Sequence, residues 1–189
     1  WNVFAEKLTS MHKADTSSLV KNGKFGFLQD NFIGRTKQIN LAKDSWVEFF
    51  RDNRLVPQFK MAEKYFEKDD FSKMDKLLNK LDKILVEPEK PSLLHGDLWG
   101  GNVLCDTKSL PLLIDPACYV GHPEADIAMT ELFGGFSGKF YDAYKNLGLL
   151  QSGYSERRDL YNLYHILNHL NMFGKTYLSA ARSIIDSYL

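Results

Sequence analysis

Apolar positions along the chain change rhythm twice, and those changes divide it. Phe4, Leu8 and Met11 recur three and four apart, so residues 1–14 read as an amphipathic helix. The run GKFGFLQDNFIGRTKQIN, residues 23–40, loses that period; its glycines, asparagines and aromatics predict a hairpin or structured loop. Ser45 and Glu48 have the spacing of a capping box ahead of Trp46, Phe49 and Phe50, and Pro57 is placed to open a following helix. Phe71, Met74, Leu77, Leu78, Leu81, Ile84 and Leu85 hold helical spacing throughout, which predicts one helix over 71–85. Pro88 and Pro91 stop it.

Short strand-like runs follow at 93–94, 103–105 and 112–114. Helical pattern returns after Gly121 and is clearest over 155–174. The fold class expected is therefore α+β and predominantly helical. One domain over residues 1–189 is expected, with the loops at the strand ends as the place for chemistry.

Composition narrows the partners. Lys plus Arg number 24 and Asp plus Glu number 24, so no basic excess points to nucleic acid or a membrane surface. No apolar run approaches the roughly 18 residues of a membrane span. Two cysteines, Cys105 and Cys118, make no disulfide framework; they read as small buried apolar residues in a reducing, cytoplasmic setting. The chain opens inside a helix without an initiator methionine, which suggests a piece of something longer.

The chemistry concentrates in LLHGDLWGGNVL, residues 93–104, where an apolar run breaks at His95 and Asp97 and resumes after Asn102. A second apolar run, LPLLIDP, ends on Asp115. Asp, Asn and Gly are ordinary turn residues, and either Asp97 or Asn102 alone would be read as one. His-x-Asp-x-x-x-x-Asn with an aspartate behind a later strand is more specific. Phosphoryl transfer needs a carboxylate to orient the attacking hydroxyl and hard oxygen ligands to hold Mg²⁺ on the phosphates. Asp97 suits the first task; Asn102 and Asp115 suit the second. Gly100 and Gly101 let the loop bend between them. Trp99 beside the base either packs in the core or stacks on a sugar face. His165 and His169, four apart on a helix, lack the Glu that a zinc protease needs after the first His, since Ile166 stands there. Packing or sugar contact, by His169 in particular, is the better reading. A two-metal phosphatase would need further converging ligands, and only His122 is near.

HGDLWGGN followed by IDPACYVGHPEADIAM and ELFGGF resembles the fructosamine kinase (ketosamine-3-kinase) family, and the resemblance runs from about Leu8 to Ile185. It implies the large C-terminal lobe of a protein-kinase-like, aminoglycoside-phosphotransferase-like fold. By the same resemblance Asp97 matches the catalytic base, Asn102 and Asp115 the metal ligands, and His95 and Asp126 supports of the catalytic loop, with Glu124 a neighbouring alternative to Asp126. ATP and Mg²⁺ are the implied cofactors. The implied acceptors are fructosamines, ribulosamines or erythrulosamines, free or on glycated protein lysines.

The chain departs from a complete kinase. It has no G-x-G-x-x-G loop and no V-A-I-K strand, so the nucleotide-clamping lobe is expected to be absent. The lobe alone is expected to fold but not to transfer phosphate usefully, and to self-associate through the apolar face left uncovered. A non-catalytic, pseudokinase-like binding protein is the rival from another class. Aminoglycoside or choline kinases are the rivals within the class.

Overall fold

A computed structural model describes residues 1–108 and 110–189. Nine α-helices occur among the described residues: α1 (Asn2–His12), α2 (Trp46–Phe50), α3 (Val56–Ala62), α4 (Lys68–Leu78), α5 (Leu81–Ile84), α6 (Glu124–Leu132), α7 (Gly138–Asn146), α8 (Tyr154–Phe173) and α9 (Leu178–Ser187). Three antiparallel two-stranded ladders are interleaved with them: β1 (Asn31–Ile33) with β2 (Thr36–Gln38), β3 (Ser92–Leu94) with β6 (Tyr119–Gly121), and β4 (Val103–Cys105) with β5 (Pro111–Leu113). The fold class is α+β, mainly helical.

Two apolar cores flank the β3–β6 ladder. The larger joins Trp46, Phe49, Phe50 and Leu55 to Leu77 and Leu81, and to Leu163, Leu167 and Leu170 of α8. The smaller joins Phe4 and Leu8 of α1 to Phe140 and Tyr144 of α7, with Leu98 and Ile127 completing it. Leu98 belongs to the segment that follows β3, so the HGDLWGGN loop is anchored in the smaller core.

Local structure departs from the sequence expectations in several places. The helix expected over 71–85 is two, because the chain turns at Asn79 and Lys80 between α4 and α5. Leu81 and Leu85 still reach the larger core, which explains why the periodicity survives the break. Pro57 stands in the first turn of α3, as expected, but no break separates α3 from α2. The backbone runs helically from Trp46 to Ala62 through a π-turn at Arg51–Leu55, in which the Val56 N–H donates to the Arg51 carbonyl. The wider turn accommodates a proline, which has no N–H to give.

The reciprocal capping box at Ser45 is only half present. Ser45 Oγ accepts from the Glu48 N–H at 3.3 Å, but the returning carboxylate is that of Glu87. Glu87 accepts from the Trp46 N–H at 2.8 Å and from the Ser45 hydroxyl at 2.6 Å. A carboxylate from 41 residues away thus caps α2 and fixes the chain just before β3. Strand β6 has no separate signal in the hydrophobic pattern, yet it is the partner of β3, with Leu93 opposite Val120. Cys105, expected to be buried, is exposed on β4 because the β4–β5 hairpin stands at the surface with one face open; Cys118 is half-buried.

Two buried cations tie these elements together. Arg54 is fully buried, with its guanidinium 4.0 Å from the centroid of the Tyr119 ring and 4.6 Å from that of Phe49. It donates to the Ile39 carbonyl at 2.6 Å and to Asn40 Oδ1 at 2.9 Å. Arg157 of α8 forms a two-pronged pair with Glu124 at the start of α6, Nη2 to Oε1 at 2.7 Å and Nε to Oε2 at 2.8 Å. Both side chains are closed to solvent. Arg157→Leu would leave the Glu124 carboxylate buried without its cation, so the protein should lose about 3–5 kcal/mol of stability. Urea unfolding checks this, and a loss below about 1 kcal/mol would show that Glu124 finds other donors.

Candidate active site

Strand β3 delivers the chain to its turn at His95 and Gly96. Gly96 has φ +81°, a left-handed conformation, and a β-carbon there would collide with the Ala117 carbonyl oxygen. The close approach is held from the other side, since the Ala117 N–H donates to the His95 carbonyl at 2.8 Å. The loop and the Asp115–Ala117 segment are therefore locked back to back.

Asp126 of α6 reaches under this turn. Its Oδ2 accepts from the His95 N–H at 2.7 Å and its Oδ1 from the Gly96 N–H at 2.8 Å. Of the two acidic candidates it is Asp126, not Glu124, that touches the loop; Glu124 is taken up by Arg157. Burial pushes the Asp126 carboxyl up. The hydrogen bond from His12, the electrostatic pull of the His12 and His95 rings and the Gly96 N–H outweigh it, leaving the carboxyl below its ordinary value.

The His95 ring bridges the two halves of the site. Its Nδ1 accepts from the Asp97 N–H at 3.3 Å, so Nε2 carries the proton and donates to the Ile114 carbonyl at 2.9 Å. Asp97 is part-buried and its carboxylate lies beside Asn102, whose Nδ2 donates to the Asp97 carbonyl at 2.8 Å and to Oδ2 at 3.1 Å. Burial raises the Asp97 carboxyl, while His95, the Asn102 amide and His169 pull it down; the net displacement is upward.

Asn102 ends a one-turn 3₁₀ segment just before β4, and its carbonyl accepts from the Ile114 N–H at 3.1 Å. That bond continues the β4–β5 register by one pair and places Asp115 immediately beyond it. Asp115 is exposed and has φ +50°, a conformation that Asp tolerates better than most side chains. Because the Asn102 Nδ2 faces Asp97, its amide oxygen is the atom left to coordinate a cation. An amide oxygen and an exposed carboxylate make a hard, all-oxygen donor set, which fits Mg²⁺ better than a softer metal.

Aromatic rings stand beside the carboxylate. Trp99, 40% exposed, lies across Gly101 and meets Phe133 edge-on at a centroid distance of 6.4 Å. Phe133 lies 5.0 Å from His169, and His169 lies 5.4 Å from Phe173 and 5.1 Å from Tyr177. The sequence candidates Trp99 and His169 thus join one aromatic cluster through Phe133, which the sequence reading did not single out. His169 Nδ1 donates to the His165 carbonyl at 2.8 Å, so in the neutral ring Nε2 is an acceptor. His165 itself is buried, and burial lowers its pKa to about 3. A row of exposed apolar side chains, Leu104, Leu112 and Ile114, runs along the open face of the β4–β5 hairpin next to Asp115.

The fructosamine kinase family model matches residues 1–189. The chain belongs to the fructosamine kinase family. It is 45% identical over 188 residues to the chloroplastic protein-ribulosamine 3-kinase of Arabidopsis thaliana, covering 97% of this chain and 55% of that protein. A solved structure from Thermobifida fusca, described as a candidate fructosamine-3-kinase, superposes with TM-score 0.89 at 32% identity over 99% of this chain and 64% of that one. A macrolide 2'-phosphotransferase shares the fold alone, with TM-score 0.58 at 19% identity over 97% of this chain and 57% of that one. The family member described here therefore has a kinase-like fold, and it spans about half the length of the curated relatives it matches. No helix among its described residues is long and apolar enough to cross a membrane.

The close approach of Gly96 to Ala117 gives a direct check on the loop. Gly96→Ala should destabilise it by at least the roughly 1–2 kcal/mol of a left-handed β-carbon, with the collision at Ala117 added. A denaturation midpoint equal to that of the parent would show that the loop relaxes without penalty.

Proposed function

We propose that this chain is the catalytic, C-terminal lobe of an ATP- and Mg²⁺-dependent kinase. Its acceptors are the 3-hydroxyls of ketosamines (fructosamine, ribulosamine or erythrulosamine), free or on glycated protein lysines. The observation that carries the reading is the assembly of Asp97, Asn102 and Asp115 on two loops locked together through His95 and Ala117. Family membership and the name of the Arabidopsis relative support the acceptor class.

In this reading Asp97 orients the acceptor hydroxyl and takes its proton as the oxygen attacks the terminal phosphorus, whose bond to the bridging oxygen breaks to release ADP. The upward displacement of its carboxyl makes it a better proton acceptor than a solvated aspartate. Asn102 Nδ2 fixes the direction of that carboxylate. Asn102 Oδ1 and the Asp115 carboxylate would hold Mg²⁺, which neutralises charge on the phosphates when bound. His95 keeps the two loops in register, and Asp126 holds the backbone of the turn. Trp99 gives a flat face for the sugar ring, and His169 Nε2 gives an acceptor for one of its hydroxyls. The apolar row on β4–β5 would form the floor under the nucleotide base. Left uncovered, it would favour self-association of the lobe, which alone supplies no grip on the phosphates. A pseudokinase role has no need of all three polar groups in this arrangement.

Two substitutions in the full-length protein test the assignment. Asp97→Asn should lower kcat roughly 10²- to 10⁴-fold while leaving ATP affinity nearly intact; near-normal turnover on a ribulosamine would remove Asp97 from the role of base. Asp115→Ala should weaken Mg-ATP binding in calorimetry more than it weakens sugar binding. Unchanged nucleotide affinity would mean that another acid holds the metal. Assaying the parent with ribulosamine, an aminoglycoside and choline in parallel separates the acceptor classes; activity on either of the last two alone would refute the ketosamine reading.

A further inference from the structure

Asp126 has a third partner, and it comes from the opposite end of the chain. His12, at the end of α1, is buried and sits 3.1 Å from Asp126 Oδ2 through Nε2. Its other nitrogen, Nδ1, lies 2.7 Å from the hydroxyl of Tyr144 on α7. The two rings meet edge to face with centroids 5.8 Å apart, and Tyr144 is itself fully buried.

Chemistry fixes the direction of these bonds. An ionised carboxylate can only accept, so His12 Nε2 donates to Asp126. In the neutral ring Nδ1 is then an acceptor, and the Tyr144 hydroxyl donates to it. Burial pushes Tyr144 well above the ordinary phenol range, so its proton stays in place. The resulting line runs Tyr144, His12, Asp126, and from there to the His95 and Gly96 amides. Asp126 Oδ2 is shared between His12 and the His95 N–H, so the direction in which His12 holds that oxygen also sets where the turn sits.

We infer that His12 is a positioning residue for phosphoryl transfer: through Asp126 it sets the backbone of the loop bearing Asp97, with Tyr144 orienting its ring. The inference rests on the kinase reading above for its kinetic consequence, but not for its structural one. Helix α1 and helix α7 pack on each other in the smaller core, so this line also connects that helix pair to the site.

The test uses the full-length protein with four variants. His12→Gln retains an N–H near the position of Nε2 and should keep kcat within a few-fold of the parent. His12→Asn is too short to reach Asp126. It should lower kcat roughly 10²-fold, the scale of a small misplacement of a catalytic group, with KM for both substrates unchanged. His12→Leu should do the same. Hydrogen exchange provides the second readout: the His95 and Gly96 amides should exchange at least tenfold faster in His12→Asn than in the parent or in His12→Gln. Tyr144→Phe removes one hydroxyl from an intact core and should shift both readouts in the same direction by a smaller factor. It decides the matter if a His12 variant fails to fold. Parent-like kcat and parent-like exchange in His12→Asn, or in Tyr144→Phe should the His12 variants not fold, overturn the inference. A parent with no ketosamine kinase activity would overturn the functional reading instead and leave the exchange comparison standing.

Discussion

One carboxylate, that of Asp126, carries the geometry of the candidate site. It is buried at 1% exposure and accepts from two consecutive backbone amides and from a histidine. A buried charge with fewer donors would be costly; with three it is held ionised and becomes a rigid peg. The turn at His95 and Gly96 could not otherwise keep its unusual backbone, because Gly96 has no side chain of its own to hold it. Everything downstream inherits this placement: the His95 ring bridges to Ile114, and Ile114 in turn is bonded to Asn102. Of the candidate residues Asp115 is exposed, Asp97 part-buried and Asn102 buried, and what places them lies beneath.

The second acidic residue of the same helix does a different job. Glu124 stands two residues before Asp126 and is equally buried, yet it pairs with Arg157 and fastens α6 to α8. His122, just ahead, is buried beside Trp46 and Tyr161, and burial lowers its pKa to about 3. A short segment thus divides its labour, with Glu124 holding the helices together and Asp126 holding the loop.

Helical spacing made most helices legible in the sequence, and the break at His95 and Asp97 pointed to the candidate site. The rest depended on contacts that periodicity does not encode. Strand β6 was hidden because Tyr119–Gly121 is only three residues long and buried on both sides, so it shows no alternation. The α4–α5 break kept its apolar register across the turn. Glu87 could not be linked to Ser45, nor His12 to Asp126, because they are 42 and 114 residues apart in the chain. His12 carried one signal, an ionisable residue on the inward face that Phe4, Ala5, Leu8 and Thr9 share. The resemblance of GHPEADIAM to a known family left Asp126 and Glu124 as alternatives, and only the geometry separates them.

Arg54 gives the molecule a property of a different kind. Its guanidinium meets carbonyl and amide oxygens 15 and 14 residues earlier in the chain, and aromatic faces contributed by Phe49, Tyr119 and Tyr164. No single segment supplies enough of these groups to replace the water that a buried cation gives up. A partly assembled chain in which the 39–40 loop has docked before β6 and α8 arrive therefore strands a charge in a half-dry pocket. Such intermediates are penalised, and the distant stretches must arrive together. The side chain acts as a coincidence requirement on folding, making the loop before α2 and the helices behind it gain or lose their structure as one cooperative unit.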